Sequence, residues 1–318
     1  MSANGSSIFE TNPNKEQFVI GISYCVVAVL AFPIYIPIVY TIRVTKELNE
    51  NISYKLINTM NICDLTQSFL HCLTGIFIIF PVFKEEIEPF VKLVGYTNNC
   101  LFNSSFVIIA VLAMIRIGVT FCNTKTDKWR AWMLVALFIG ASYMFTAWLM
   151  GCVVLCFQLD GVNWSYDMNV PLSTFLSVQE LWFCFSILVF SFSSYLFILG
   201  SIYNKKRQIQ SEASHRTEIA ILTQATVLTT YMAALMVLWH NAELWFEMND
   251  ITLALLNGSW IMFAHLNSFL LISTNKSIRE QFLSILGQQI KRKSSKIGPS
   301  SGVTFIMTRK TTVAITMK

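Results

Sequence analysis

The residues best able to do chemistry stand in a row within an apolar stretch. They are Asn61, Asp64, Ser68 and His71, spaced i, i+3, i+7 and i+10, with Gln67 beside them. On a helix that spacing places them along one stripe. A carboxyl group in apolar surroundings needs a hydrogen-bonding partner or a bound cation, or it keeps its proton. The stripe therefore reads either as a hydrogen-bonded polar core or as a coupling or ion site. Metal-assisted hydrolysis is the enzyme chemistry to weigh, because His71, His240 and His265 accompany Asp64. Zinc sites want close pairs such as i, i+4 histidines, and the sequence has none. It also lacks a glycine-rich phosphate loop and a nucleophile elbow. The expectation is a protein that is not an enzyme and uses no catalytic cofactor.

A second set of polar and aromatic residues is scattered through other apolar runs. Asn98, Asn99, Phe102 and Asn103 fall in "TNNCLFNSS", and Glu180 stands two residues before Trp182. Trp239 and His240 fall in "LWHN", and Asn257 and Trp260 in "NGSW". Asn98, Asn99, Phe102, Glu180, Trp239, His240, Asn257 and Trp260 together suit an outward-facing small-molecule cavity with aromatic walls and a few polar groups. Each of them also suits ordinary packing between helices or an interfacial aromatic belt. Arg116 is the one basic residue deep in an apolar run. It reads as a snorkelling anchor or as a latch between helices.

The elements that must position these residues are membrane-spanning helices. Of the 318 residues, 54% are hydrophobic and only 13% charged, and mean hydropathy is +0.55. Runs long enough to cross about 30 Å of hydrocarbon occur at 18–42, 55–80, 93–121, 131–157, 175–203, 219–241 and 251–273. Helices are expected, since lipid cannot satisfy an open backbone. The fold class is thus an all-α, seven-transmembrane bundle. Its organisation is an N-terminal segment 1–17, a membrane domain 18–273, an amphipathic helix 274–287 and a basic Ser/Thr-rich tail 288–318. Ser277 and Glu280 have capping-box spacing for that short helix, and Ile278, Phe282, Ile285 and Leu286 share its apolar face.

Of 23 Lys and Arg, only Lys15, Lys84 and Lys92 fall on one side of this layout. The others, including Lys205, Lys206 and Arg207, fall on the opposite side, which is therefore cytoplasmic, with the N-terminus outside. The net charge of +5 belongs to loops facing anionic lipid, so no nucleic-acid partner is implied. Sequons at Asn4 and Asn163 fall on the outer side and are candidate glycosylation sites. The eight cysteines lie within spans or at their ends, so no outer-loop disulfide is expected. The polar N-terminal segment lacks the pattern of a cleaved signal peptide.

The end of the last span reads "NSFLLISTNKSIR". Asn267, Asn275, Lys276 and Arg279 resemble the Asn-Pro-x-x-Tyr and Asn-Lys-x-x-Arg spacing of rhodopsin-like G-protein-coupled receptors, with Ser268 and Leu271 in place of Pro and Tyr. Arg116 resembles the Arg of Asp-Arg-Tyr, flanked here by Ile115 and Ile117. Tyr54-Lys55 ahead of Asp64, Gln224 early in span six and the Asn-Lys-x-Ile-Arg end resemble nematode serpentine chemoreceptors, nearest classes T, X and XA. The resemblance covers roughly 18–286. It implies a chemosensory receptor in the plasma or ciliary membrane of a sensory cell. Such a receptor binds a small environmental molecule and signals to a heterotrimeric G protein. It also implies a polar cluster of Asp64, Ser105 and Asn267 that couples ligand to helix movement and holds a sodium ion at Asp64. The G-protein face would include Arg116, Lys205, Lys206 and Arg207, with Glu218 as a substitute acidic partner. A ligand-gated ion channel or a small-solute transporter is the alternative reading.

Overall fold

The structure, a computed structural model, describes residues 7–122, 128–205, 212–276, 278–284 and 287. Among the described residues, seven helices are long and apolar enough to cross a membrane. They are α1 (Lys15–Val44), α3 (Ile52–Ile79), α5 (Glu88–Cys122), α6 (Ala131–Val154), α7 (Ser173–Lys205), α8 (Glu212–Trp245) and α9 (Asp250–Thr274). Two short helices, α2 (Lys46–Glu50) and α4 (Pro81–Glu86), turn the chain between them.

Local chemistry sets several boundaries. Asn14 accepts from the backbone N–H groups of Glu16 and Gln17 and so starts α1. Asn51 and Asn249 cap α3 and α9 in the same way. The helices run past the apolar runs at most ends, because backbone pairing continues into the polar flanks after hydropathy has dropped.

Patterning decides which helices lie inside. α6 is apolar all round and buries only Met133, Met144 and Gly151. It stands at the periphery, where hydrocarbon solvates every face. α3 carries the polar stripe and is central, with Asn61, Asp64, Gln67, Ser68, His71 and Thr74 all buried. α1 packs tightly on α3 at Gly21 and Gly75. A Cβ at Gly75 would come within 2.5 Å of the Gly21 carbonyl oxygen and of Cys25 Sγ. Small residues permit such close backbone approach in membranes.

Span four ends earlier than the apolar run predicts. α6 stops at Val154, and the chain continues into a hairpin of β1 (Phe157–Asp160) and β2 (Asn163–Tyr166). Its register is Phe157↔Tyr166, Gln158↔Ser165, Leu159↔Trp164 and Asp160↔Asn163. Gly161 has φ of +55° at the first turn position, where a two-residue hairpin loop favours glycine. Phe157, Leu159, Trp164 and Tyr166 share one face, and that face is driven into the bundle. Trp164 is fully buried, stacks on Phe157 and donates its indole N–H to Thr74 Oγ1 at 3.2 Å. The turn is held as well: Val162 O accepts from Tyr24 Oη at 3.3 Å and from Asn257 Nδ2 at 3.5 Å. Cys156 therefore belongs to the hairpin rather than to a span. Cys25, Cys63, Cys72, Cys100, Cys152, Cys156 and Cys184 are free thiols.

Beyond α9, residues 276 and 278–282 are helical. The predicted Ser277–Glu280 box rests on Ser277, which lies outside the described residues. Asn275 ends α9 and its side chain accepts from Ile278 N at 3.1 Å, so one asparagine closes one helix and opens the next. Ser277, Ile285 and Leu286 lie outside the described residues. The chain divides at Leu283, and of the segment Leu283–Lys318 residues 283, 284 and 287 are described, all helical.

Candidate functional site

Two clusters of polar residues stand out among the described residues. The first joins four helices around Asn267. Its side-chain amide has two N–H donors. One goes to Asp64 Oδ2 at 2.7 Å and the other to Asn61 Oδ1 at 3.0 Å. Its carbonyl oxygen accepts from Gln224 Nε2 on α8 at 3.2 Å, so every conventional bond but one lone pair is used. Tyr35 on α1 places its hydroxyl 3.2 Å from Asp64 Oδ2 and against the carbonyl oxygen of Ala264. That hydroxyl has one proton and two acceptors to share it. Asp64 Oδ1 and Ser268 Oγ are buried without a hydrogen-bond partner among the described residues, and so is Ser105 Oγ on α5. Ser68 turns back to the Asp64 carbonyl oxygen at 2.9 Å and so serves its own helix.

The second cluster is a cavity of about 420 Å³ at the hairpin end of the bundle, between the hairpin and helices α5, α7, α8 and α9. This size suits one small molecule. Six residues of the predicted set line it: Asn99, Phe102, Glu180, Trp239, His240 and Trp260. Asn98 and Asn257 do not. Asn98 turns toward α3 and meets the His71 ring at 3.2 Å, while Asn257 holds the hairpin turn. Adjacent helical residues are rotated by about 100°, so Asn98 and Asn99 face different neighbours.

Glu180 is the more buried of the two carboxyl groups that line this cavity. Its Oε2 accepts from Asn99 Nδ2 at 2.6 Å and from the Tyr166 hydroxyl. Burial, reinforced by the neighbouring Glu180 charge, raises the Tyr166 phenol above its ordinary pKa, which keeps that hydroxyl a donor. Trp260 stands edge-on to Trp239 and to Phe102, with ring centroids 5.8 and 5.7 Å apart. Trp260 also meets His71, edge to face at 5.1 Å, and so touches the polar stripe of α3.

Sequence reasoning missed Tyr166, Phe157 and Trp164 in the cavity wall, and Glu243 and Tyr35. A signal for the first three existed. Asp160-Gly161 sits between alternating apolar residues, which is a hairpin pattern, but the long apolar run masked it. Asn163 lies on β2, lines the cavity, and has its Oδ1 buried without a partner. Arg116 lies near the far end of α5 and is partly buried. Lys206, Arg207 and Asn4 lie outside the described residues, as do the side chains of Lys205 and Glu218. No cluster of three His, Cys, Asp or Glu able to hold a metal ion occurs among the described residues.

Seven helices able to cross a membrane, with a hairpin-roofed cavity at one end, define a seven-transmembrane helix bundle. The crystal structure of squid rhodopsin superposes with a TM-score of 0.62, covering 93% of this chain and 94% of that one at 14% identity. A search of curated proteins finds no match. The profile of the serpentine-type seven-transmembrane G-protein-coupled chemoreceptors, Srt, matches residues 4–295. The chain belongs to that family and is a multi-pass membrane protein.

Proposed function

We infer that the chain binds a small environmental molecule in the cavity between α5, α7, α8, α9 and the hairpin and passes the event to a heterotrimeric G protein. One observation carries this reading. Trp260 forms a cavity wall and meets His71, while Asn267 on the same helix as Trp260 is bonded to Asp64 on the same helix as His71. A ligand pressing on Trp260 thus acts on the two helices whose alignment the Asp64–Asn267 bond fixes. A ligand favouring one arrangement of α3 and α9 shifts the population toward it. In this reading the hairpin end faces outside and the Lys/Arg-rich end, with Arg116, Lys205, Lys206 and Arg207, faces the cytoplasm.

A sodium ion is the occupant we propose for the first cluster. Asp64 Oδ1, Ser105 Oγ and Ser268 Oγ are buried oxygens without partners, and hard cations take oxygen ligands. Asp64, held by Asn267, would bind the ion, with Ser105 on α5 as a further proposed ligand, and the ion would supply compensation for a buried carboxylate. Asn267 meanwhile orients Asp64, whether or not the ion is bound.

The test is second-messenger output from cells expressing the receptor, screened against candidate odorants in wild type and Arg116→Ala. Loss of output with surface expression intact is expected. An equal response in the variant would overturn the role of Arg116, and accessibility of an N-terminal tag only after permeabilisation would overturn the orientation.

A further inference from the structure

The geometry points to a small organic cation as the ligand of this cavity, its ammonium group bound by Glu180 and its apolar body packed on Phe102, Trp239 and Trp260. The inference rests on the reading of the cavity as the ligand site. It stands on three independent features of the wall.

The first is charge. Glu180 and Glu243 both line the cavity, and no Lys or Arg does among the described residues. The nearest predicted outer-side lysine on α5, Lys92, is occupied by Glu88 at 2.9 Å and Asp167 at 3.8 Å. Glu243 is exposed and Glu180 lies deeper, so an entering cation meets the same sign of charge at the mouth and at the base. Clefts lined by one sign of charge concentrate the opposite one.

The second is the way Glu180 is held. Asn99 and Tyr166 both donate to Oε2, and Asn103 faces the same carboxyl. All three are donors, so Glu180 stands as an acceptor on every side the protein supplies. A carboxylate offers about four acceptor sites, which leaves capacity for a ligand N–H. Pinned from a strand and a helix at once, the group is oriented before a ligand arrives.

The third is the aromatic lining. Phe102, Phe157, Trp164, Tyr166, Trp239 and Trp260 all contribute rings to the wall. Aromatic faces attract cations, and cages of such rings recognise ammonium groups. Trp260 adds an indole N–H that is buried without a partner and is left for an acceptor on the ligand. An anionic ligand would find two carboxylates and no counter-charge. A neutral one could use Glu180 only as a hydrogen-bond acceptor and would leave its charge uncompensated.

The test uses the full chain in lipid nanodiscs and three probes of one shape: phenethylammonium, 2-phenylethanol and phenylacetate. Binding is read by thermal stabilisation and by tryptophan fluorescence. Phenethylammonium is expected to bind roughly ten- to a hundredfold tighter than the other two, as a charge-assisted hydrogen bond predicts. Glu180→Gln removes that preference while leaving the alcohol unchanged, and Glu180→Asp keeps it. Equal binding of the alcohol or the acid in wild type, survival of the preference in Glu180→Gln, or no binding of any probe overturns the inference. Should Glu180→Gln not fold, the wild-type ranking of the three probes still decides. Leu256→Trp, which narrows the cavity, separates the two readings. Ammonium binding unchanged in that variant overturns the site itself, whereas loss of all three probes without any preference for charge leaves the site standing and removes the cation.

Discussion

Asn267 donates to Asp64 Oδ2 at 2.7 Å across 203 residues of sequence, and so fixes the central polar helix α3 to the last span α9. The contact is buried on both sides and shares its donor group with Asn61. Gln224 on α8 donates to Asn267 and Tyr35 on α1 to Asp64, so the network joins four helices.

Asn267→Ala is expected to destabilise the receptor by about 1–3 kcal/mol, since it strands donors and acceptors in a dry interior. Thermal unfolding in nanodiscs reads the loss. A double-mutant cycle with Asp64→Asn should give less than the sum of the single effects, as residues in one network do. Additive losses would mean that the two act separately.

Gly95 faces the ring of Trp164, and a Cβ there would stand 2.2 Å from it. The indole is fully buried and bonded to Thr74, so it does not yield. Gly95→Ala should cost about 1–3 kcal/mol by overpacking, and Trp164→Ala in the same chain should recover part of it. A neutral Gly95→Ala would show that the hairpin is not seated as described.

Cys156 is buried at the head of the hairpin, and burial pushes its thiol from 9.0 up to about 11. The folded state thus favours the protonated thiol. The resulting stability is complete below about pH 9 and is lost as pH rises toward about 11. Cys156→Ala should flatten the pH dependence of thermal stability in that window. Alkylation of Cys156 by iodoacetamide should stay slow at pH 8, because little thiolate is present.

Asn275 accepts from Ile278 N and also donates its amide to the Tyr54 hydroxyl on α3. Asn275→Ala should lower stability by about 1 kcal/mol through loss of the cap, with a further loss from the freed tyrosine. Asn275→Asp keeps the cap but loses the donor to Tyr54, so it should fall between Asn275→Ala and wild type. Limited proteolysis after α9 would follow the same order.

Much of this was legible in the chain. The number and order of spans follow from apolar length, and each predicted run contains one long helix, although the fourth run ends in strand β1. The burial of Asn61, Asp64, Gln67, Ser68 and His71 follows from their helical spacing. Lys/Arg placement gave an orientation that the tag experiment above tests. The hairpin was less legible, because Phe157 continues the hydropathy of α6 and hides the point where helix becomes strand.

Sequence by itself determined which residues avoid lipid and how they recur along each helix, since hydropathy and the 3.6-residue period are properties of one segment. Only the tertiary structure decided which polar group meets which. Asn98 and Asn99 are adjacent and chemically identical, yet one meets His71 and the other holds Glu180. Tyr166 reaches Glu180 only because Trp164 and Gly95 seat the hairpin in the bundle. Partner choice depends on the rotation of one helix against another and on steric fit between distant segments, and neither is encoded in any local pattern.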